Sequence, residues 1–317
     1  MRAPCGGPSG HQRVKLVIVG RSGQLARSLA ERGASQRGLQ VVALGRPELD
    51  LERPGSAAAA IRQAGADVVI NASAYTAVDK AEQEPERAFQ VNAEGAGEVA
   101  EAARRVAARI LHVSTDYVFN GRAGRAYHAE DSADPLNVYG RSKLQGEERV
   151  RAAAPDHLIV RTSWVYGPFG GGFVSTMLQL AAKQASVRVV DDQYGTPTSV
   201  IDLADGLLAV ATSWDRGSDA GLGRTMHLAG ADVASWAELA RGIFAEAARL
   251  GLPTARVAPI PNADYPVLAK RPLHSALDST DFKAAFEFEA PGWQRALPPV
   301  LAGIAARRHL DREGTSR

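Results

Sequence analysis

Six short stretches of the chain are almost continuously apolar: Val14–Val19, Gln40–Leu44, Val68–Asn71, Ile110–Ser114, Leu158–Arg161 and Val187–Val190. They are rich in β-branched residues and lack the alternation of a half-exposed sheet, which predicts strands buried on both faces. Between them, Ala-rich segments predict helices over Leu25–Arg32, Ser56–Ala64, Pro85–Ala108 and Tyr139–Ala152. Strand and helix alternating in this way predict an α/β fold, a Rossmann-like doubly wound parallel sheet covered on both sides. After about residue 165 the alternation weakens and loop residues accumulate, as in GlyProPheGlyGlyGly at 167–172 and ThrProThrSer at 196–199. Ser235 and Glu238 spell a capping box for a helix over about 235–249. The expected organisation is a disordered extension over 1–13 and a dinucleotide-binding domain over 14–165, to which later strands contribute. A smaller, mainly substrate-binding C-terminal lobe over 166–305 and a solvated, frayed tail over 306–317 follow.

Composition narrows the class of partner. A net charge of +2 gives no reason to expect nucleic acid or an anionic membrane surface. One cysteine, Cys5, permits no internal disulfide and fits a reducing, cytoplasmic location. No apolar run approaches the ~20 residues of a membrane helix, and the first residues lack the apolar core of a secretory signal. The seven histidines are scattered without ligand spacing, so no metal centre is expected.

The chemistry concentrates where strands end. Val14–Val19 runs into Gly20-Arg-Ser-Gly23-Gln24-Leu25-Ala26 and then a helix, the setting in which backbone N–H groups and a positive helix end meet a pyrophosphate. Ala26 stands where a third glycine is usual. The second strand is followed by Arg46 rather than ended by an acid. An arginine there fits a 2′-phosphate, favouring NADPH and leaving NADH as the alternative. Asp50 and Leu51 would then lie by the adenine. The third strand leads into Ala74-Tyr75-Thr76, and the fourth ends Ser114-Thr115-Asp116. Tyr139 and Lys143 share one helix face at a spacing of four. A cation ~4 Å from the phenol is worth up to about 4 kcal/mol at an effective dielectric of 20. That would lower the tyrosine by about 3 units at most, towards neutrality, and let it hand a proton to a carbonyl oxygen.

With these segments together, the chain resembles the dTDP-4-dehydrorhamnose reductases of the extended short-chain dehydrogenase/reductase superfamily over roughly residues 14–305. The resemblance is carried by AlaTyrThrAlaValAspLysAlaGlu at 74–82, SerThrAspTyrValPhe at 114–119, ProLeuAsnValTyrGlyArgSerLys at 135–143, ArgThrSerTrpValTyrGly at 161–167, AspAspGlnTyrGlyThrProThr at 191–198 and LysArgProLeuHisSerAlaLeuAsp at 270–278. It implies reduction of the 4-keto group of dTDP-4-dehydro-L-rhamnose to dTDP-L-rhamnose, a precursor of cell-surface polysaccharide. Thr115, Tyr139 and Lys143 are the implied catalytic set. Gly23, Gln24, Leu25, Asp50, Leu51, Ala74, Tyr75 and Thr76 fall at cofactor positions. Thr115, Asp116 and Trp164 fall at sugar-nucleotide positions, with Val78 and Arg271 as neighbours and Arg271 suited to a diphosphate.

This chain departs from the family pattern at Ala26, at Gly172 before Phe173, and at His274, where the family has Asn. Some members dimerise through Mg²⁺ held by glutamates. The corresponding residues here are Ser28 and Ile201, which do not suit a hard cation. No such bridge is expected, and the partner expectation is a monomer or weak homodimer. Two alternatives stand beside the reductase: another sugar-nucleotide epimerase or dehydratase, and a non-catalytic regulatory subunit that binds the cofactor. A dehydratase would need a carboxylate pair beside Thr115, and only Asp116 is present.

Overall fold

The computed structural model describes residues 13–314, so Cys5 and nearly all of the expected N-terminal extension lie outside the described residues. The chain begins β1 (Val14–Val19), α1 (Gln24–Ala34), β2 (Leu39–Leu44), α2 (Ser56–Ala64) and β3 (Val68–Asn71). Two short helices, α3 (Val78–Ala81) and α4 (Pro85–Phe89), lead through a π turn at Gln90–Glu94 into α5 (Gly95–Arg105). Then come β4 (Arg109–Thr115), α6 (Val138–Ala153), β5 (His157–Thr162) and β6 (Val165–Tyr166). The remainder runs α7 (Gly172–Ala181), β7 (Ser186–Val190), β8 (Tyr194–Gly195), β9 (Thr198–Ser199), α8 (Val200–Asp215), β10 (Arg224–His227), β11 (Ala234–Ser235), α9 (Trp236–Arg249), β12 (Arg256–Ile260), α10 (Thr280–Phe286) and α11 (Trp293–Gly314).

Six strands form one parallel sheet in the order β10-β5-β4-β3-β1-β2. Successive strand side chains point to opposite faces, and both faces are covered. Leu16, Ile18, Leu111 and Leu158 pack with α1, α8 and α10 on one side. Val17, Val19, Ile110 and Ile159 pack with α2 and α5 on the other. This two-sided burial is why the first five strands read as continuous apolar runs. A separate core joins α7, β7, α9 and α11 through Val187, Ile243, Trp293 and Val300.

Three expectations are corrected. The run Val187–Val190 is a strand, but it belongs outside the main sheet, where β7 pairs in parallel with β12. The sixth strand of the main sheet is instead β10, whose ArgThrMetHis sequence carries no apolar run. The helix expected over Pro85–Ala108 is interrupted by the π turn. There Gly95 passes so close to Leu51 that a Cβ would lie 2.8 Å from the leucine Cβ. Finally, the residues expected to fray after 306 continue α11 as far as Gly314. Arg307 of that helix pairs with Glu31 of α1 at 3.0 Å and lies over the Phe169 ring at 4.5 Å.

Candidate active site

β1 has β2 on one side and β3 on the other, so the chain's progress across the sheet reverses at this point. Open α/β sheets part into a crevice at the strand carboxyl ends there. A cleft of about 1010 Å³ occupies that position. Its floor is the glycine loop. Gly20 has φ +126°, and a Cβ on it would meet the Ala26 methyl at 3.3 Å and the Ala72 carbonyl carbon at 3.5 Å. A glycine here therefore makes room for the alanine at the helix–sheet contact. α1 follows with no side-chain cap and no acidic residue in its first turn, leaving an uncompensated positive helix end beside Gly23, Gln24 and Leu25 on the cleft wall. Gln24 Oε1 is buried without a partner among the described residues. A bare helix end, an open approach at Gly23 and a cleft of this size fit a dinucleotide.

Arg46, Asp50 and Leu51 line the neighbouring end of the cleft. The Arg46 side chain is 69% exposed and only loosely paired with Glu52, at 3.8 Å. Two more cations share the wall. Arg21 donates to the Arg46 and Ala43 carbonyls at 3.3 and 3.4 Å and pairs with Glu48 at 3.0 Å. Arg87 pairs with Glu52 at 2.8 Å. Asp50 spends one carboxylate oxygen on its own turn, accepting from the Glu52 N–H at 3.1 Å.

Ala74, Tyr75, Thr76 and Val78 line the cleft after β3, and the Tyr75 ring lies 5.6 Å beneath the Arg87 guanidinium. This loop is held by Asn92 of the π turn. Asn92 accepts from the Tyr75 N–H at 2.8 Å and donates to the Tyr75 carbonyl at 3.1 Å and to Ser142 Oγ at 2.9 Å. Thr115 and Asp116 come from the end of β4. Tyr139 and Lys143 come from α6, whose N-terminus is capped by Asn137 accepting from the Gly140 N–H at 2.8 Å. α6 sits so close that a Cβ on Gly140 would fall 2.2 Å from the Tyr117 carbonyl oxygen. The structure thus brings Thr115, Tyr139 and Lys143 onto one wall.

Burial dominates the electrostatics. Lys143 is pushed down to about 8 by desolvation, with Glu147 pulling the other way, and its Nζ donates to the Val113 carbonyl at 2.7 Å. Tyr139 corrects the sequence expectation. Burial pushes its phenol up to about 12, hydrogen bonding with Thr115 offsets part of this, and Asp116 adds to it. The phenol is therefore firmly protonated, and the expected fall towards neutrality from Lys143 is not what this environment produces. Asp116 is pushed up to about 7 by burial, although Ser275 Oγ and Thr115 Oγ1 donate to its carboxylate at 2.6 and 3.1 Å.

Trp164 lines the cleft with positive φ of 47°. Its indole is stacked on Trp236, with centroids 3.5 Å apart and planes 3° from parallel. Phe173 tilts against Trp236 at 4.6 Å, next to Gly170, Gly171 and Gly172, which line the cleft with φ of 79°, 69° and 71°. Arg271 differs from expectation. It is not among the cleft-lining residues, and its guanidinium pairs with Asp79 at 2.8 Å while Asp79 also accepts from the Ala269 N–H at 3.1 Å. His274 lies outside the wall too, its ring centroid 6.1 Å from that of Tyr194. Ser28 is buried and Ile201 packs on the C-terminal core.

Sequence reading missed Asn92, Trp236, Ser275, Arg21, Arg87 and Asp79. Asn92 carried a signal, a polar side chain amid the apolar face of PheGlnValAsnAla. Trp236 sits directly after the capping Ser235. The role of Ser275 comes from its contact with Asp116, which no local pattern encodes.

The RmlD substrate binding domain family matches residues 14–305. The dTDP-4-dehydrorhamnose reductase of Sinorhizobium fredii is 40% identical over 89% of this chain and 95% of its own length. That of Mycobacterium tuberculosis is 43% identical over 94% of this chain and 96% of its own. A crystal structure of dTDP-4-dehydrorhamnose reductase from Bacillus anthracis in complex with NADP superposes with a TM-score of 0.83. It is 30% identical and covers 92% of this chain and 99% of that one.

Proposed function

Because this chain belongs to the dTDP-4-dehydrorhamnose reductase family, we propose that it reduces the 4-keto group of dTDP-4-dehydro-L-rhamnose to dTDP-L-rhamnose with NADPH. One observation carries the reading most directly: Thr115, Tyr139 and Lys143, from two separate elements, line the same cleft as the glycine loop. NADP in the Bacillus anthracis relative and the guanidinium groups of Arg21, Arg46 and Arg87 support NADPH over NADH. Gly20, Gly23, Gln24 and Leu25 would hold the pyrophosphate, and Ala74, Tyr75 and Thr76 would line the cofactor beside them. When bound, the reduced nicotinamide supplies a hydride to the carbonyl carbon.

The chain's own groups do the rest. Tyr139, kept protonated by burial, donates its proton to the carbonyl oxygen as charge develops there. Thr115 orients that oxygen beside the phenol. Lys143 holds a cation next to the phenolate that the transfer leaves behind. Asp116, Val78 and Trp164, which line the same cleft, bind the sugar-nucleotide. Arg271 spends one guanidinium nitrogen on Asp79 and would offer the diphosphate its remaining donors, so Asp79 sets the direction of that contact.

The test is loss of NADPH absorbance with substrate generated by a dTDP-glucose dehydratase and epimerase. Pure protein is expected to oxidise NADPH only when the 4-keto sugar nucleotide is present, and faster than NADH. Tyr139→Phe is expected to lower kcat by about 10²–10⁴-fold while cofactor affinity stays within about twofold of wild type. Turnover that survives in this variant would remove the phenol from the mechanism. Oxidation that never depends on substrate would favour the regulatory-subunit alternative.

A further inference from the structure

Behind Lys143 lies a second, fully buried polar layer. Asn71 ends β3 and His112 sits opposite it in β4, with exposures of 1% and 0%. The amide of Asn71 is oriented by the Ser73 backbone N–H, which donates to its Oδ1 at 3.2 Å. The other amide atom, Nδ2, therefore faces His112 Nδ1 at 3.2 Å. Flipping the amide would set two donors against each other at Ser73. An amide N–H donates, so Nδ1 accepts. In a neutral imidazole the proton then rides on Nε2, and burial keeps this imidazole neutral. Nε2 lies 3.4 Å from Lys143 Nζ.

We propose that Asn71 and His112 are positioning residues for Lys143: the amide locks His112 as the Nε2–H tautomer, and that N–H faces the lysine nitrogen and favours its amine form. The inference rests on the Tyr139–Lys143 reading above. Once Tyr139 has given its proton to the substrate oxygen, the Lys143 ammonium resupplies it. The proton leaves Nζ for the phenolate oxygen, the electron pair stays on nitrogen, and that lone pair accepts from His112 Nε2–H. The opposite tautomer would present a lone pair to the ammonium and hold the proton back. Every charged neighbour of this layer bears on the balance. Glu147, on the same helix, favours the ammonium and is itself paired with Arg161 and Arg151. Burial keeps His112 neutral, and Lys143, His157 of β5 and Arg151 of α6 act on it in the same direction. Tyr139 shares the cleft wall with Lys143.

Two-bond ¹⁵N–¹H correlation spectra of ¹⁵N-histidine-labelled protein test the lock without any variant. Wild-type His112 is expected to show a protonated Nε2 and an unprotonated Nδ1; the reverse pattern overturns the proposal. Asn71→Asp replaces the donor by an acceptor of the same size. It is expected to move the proton to Nδ1 and to shift the alkaline limb of the kcat–pH profile upward by about one unit or more, with KM unchanged. A tautomer that inverts without moving the limb refutes the positioning role. The wild-type spectrum decides even where Asn71→Asp does not fold. Turnover surviving in Tyr139→Phe sinks the catalytic reading and the lock's role with it, whereas an unprotonated Nε2 in wild type sinks the lock alone.

Discussion

Asp116 is a carboxyl group that the surrounding protein keeps close to neutral. Two hydroxyls donate to it, yet burial outweighs them and its folded value stands near 7. A raised acid makes ionisation costly in the folded state. Its contribution to stability is therefore lost progressively as pH rises from the unfolded value, about 4, to about 7, and is flat above that. Asp116→Asn abolishes this dependence. Urea denaturation across that range should show the variant gaining stability relative to wild type up to about pH 7 and no further; parallel curves would mean that Asp116 is ionised throughout. The same residue marks the boundary of what sequence can say. Thr115, Tyr139 and Lys143 were legible because one spacing and one strand end define them. Ser275, which donates to Asp116, lies 159 positions away, and no local pattern joins the two. The direction of the Tyr139 shift was misjudged for a related reason: a neighbouring lysine is visible in sequence, but the burial that outweighs it arises only from assembly.

α6 shows how an element carries a site. It brings Tyr139 and Lys143 to the end of β4 only because small residues let it close on its neighbours. A Cβ on Gly146 would lie 2.0 Å from the Asn92 carbonyl oxygen, a backbone atom of the π turn. Gly146→Ala must push α6 and the turn apart, at a cost of about 1–3 kcal/mol. Because Asn92 anchors Tyr75, the displacement reaches the cleft-lining loop after β3 as well. A lowered thermal midpoint together with a raised KM for NADPH is expected, and an unchanged midpoint would show that the contact yields freely. Strands β1 to β5 were readable within a residue or two, since two-sided burial writes itself as an apolar run. β10 was not. Its residues ArgThrMetHis become a strand by pairing with β5, so its identity lies in its partner. The π turn escaped for a similar reason, as the helical periodicity continues through it.

At the scale of the molecule, the main sheet and the separate core of α7, β7, α9 and α11 are threaded through each other. After β5 the chain leaves to build part of the C-terminal core, then returns with α8 and β10 to finish the main sheet. The sequence announced a weaker alternation after about residue 165 but not this return, because α8 reads like any buried helix and β10 like a loop. The return also sets a hazard in time. Until Arg224–His227 arrives, β5 is a sheet edge, and its HisLeuIleValArgThr strand is wholly buried in the finished fold. An unpaired, apolar edge is a template for any other strand that meets it. A chain halted between β5 and β10, for example at residue 199, is expected to form β-rich aggregates at a rate that rises steeply with its concentration, as light scattering would register. A fragment of that length that stays monomeric would show the edge to be protected some other way. Where synthesis pauses along this message, more than the stability of the finished enzyme, therefore governs how much of it is recovered in soluble form.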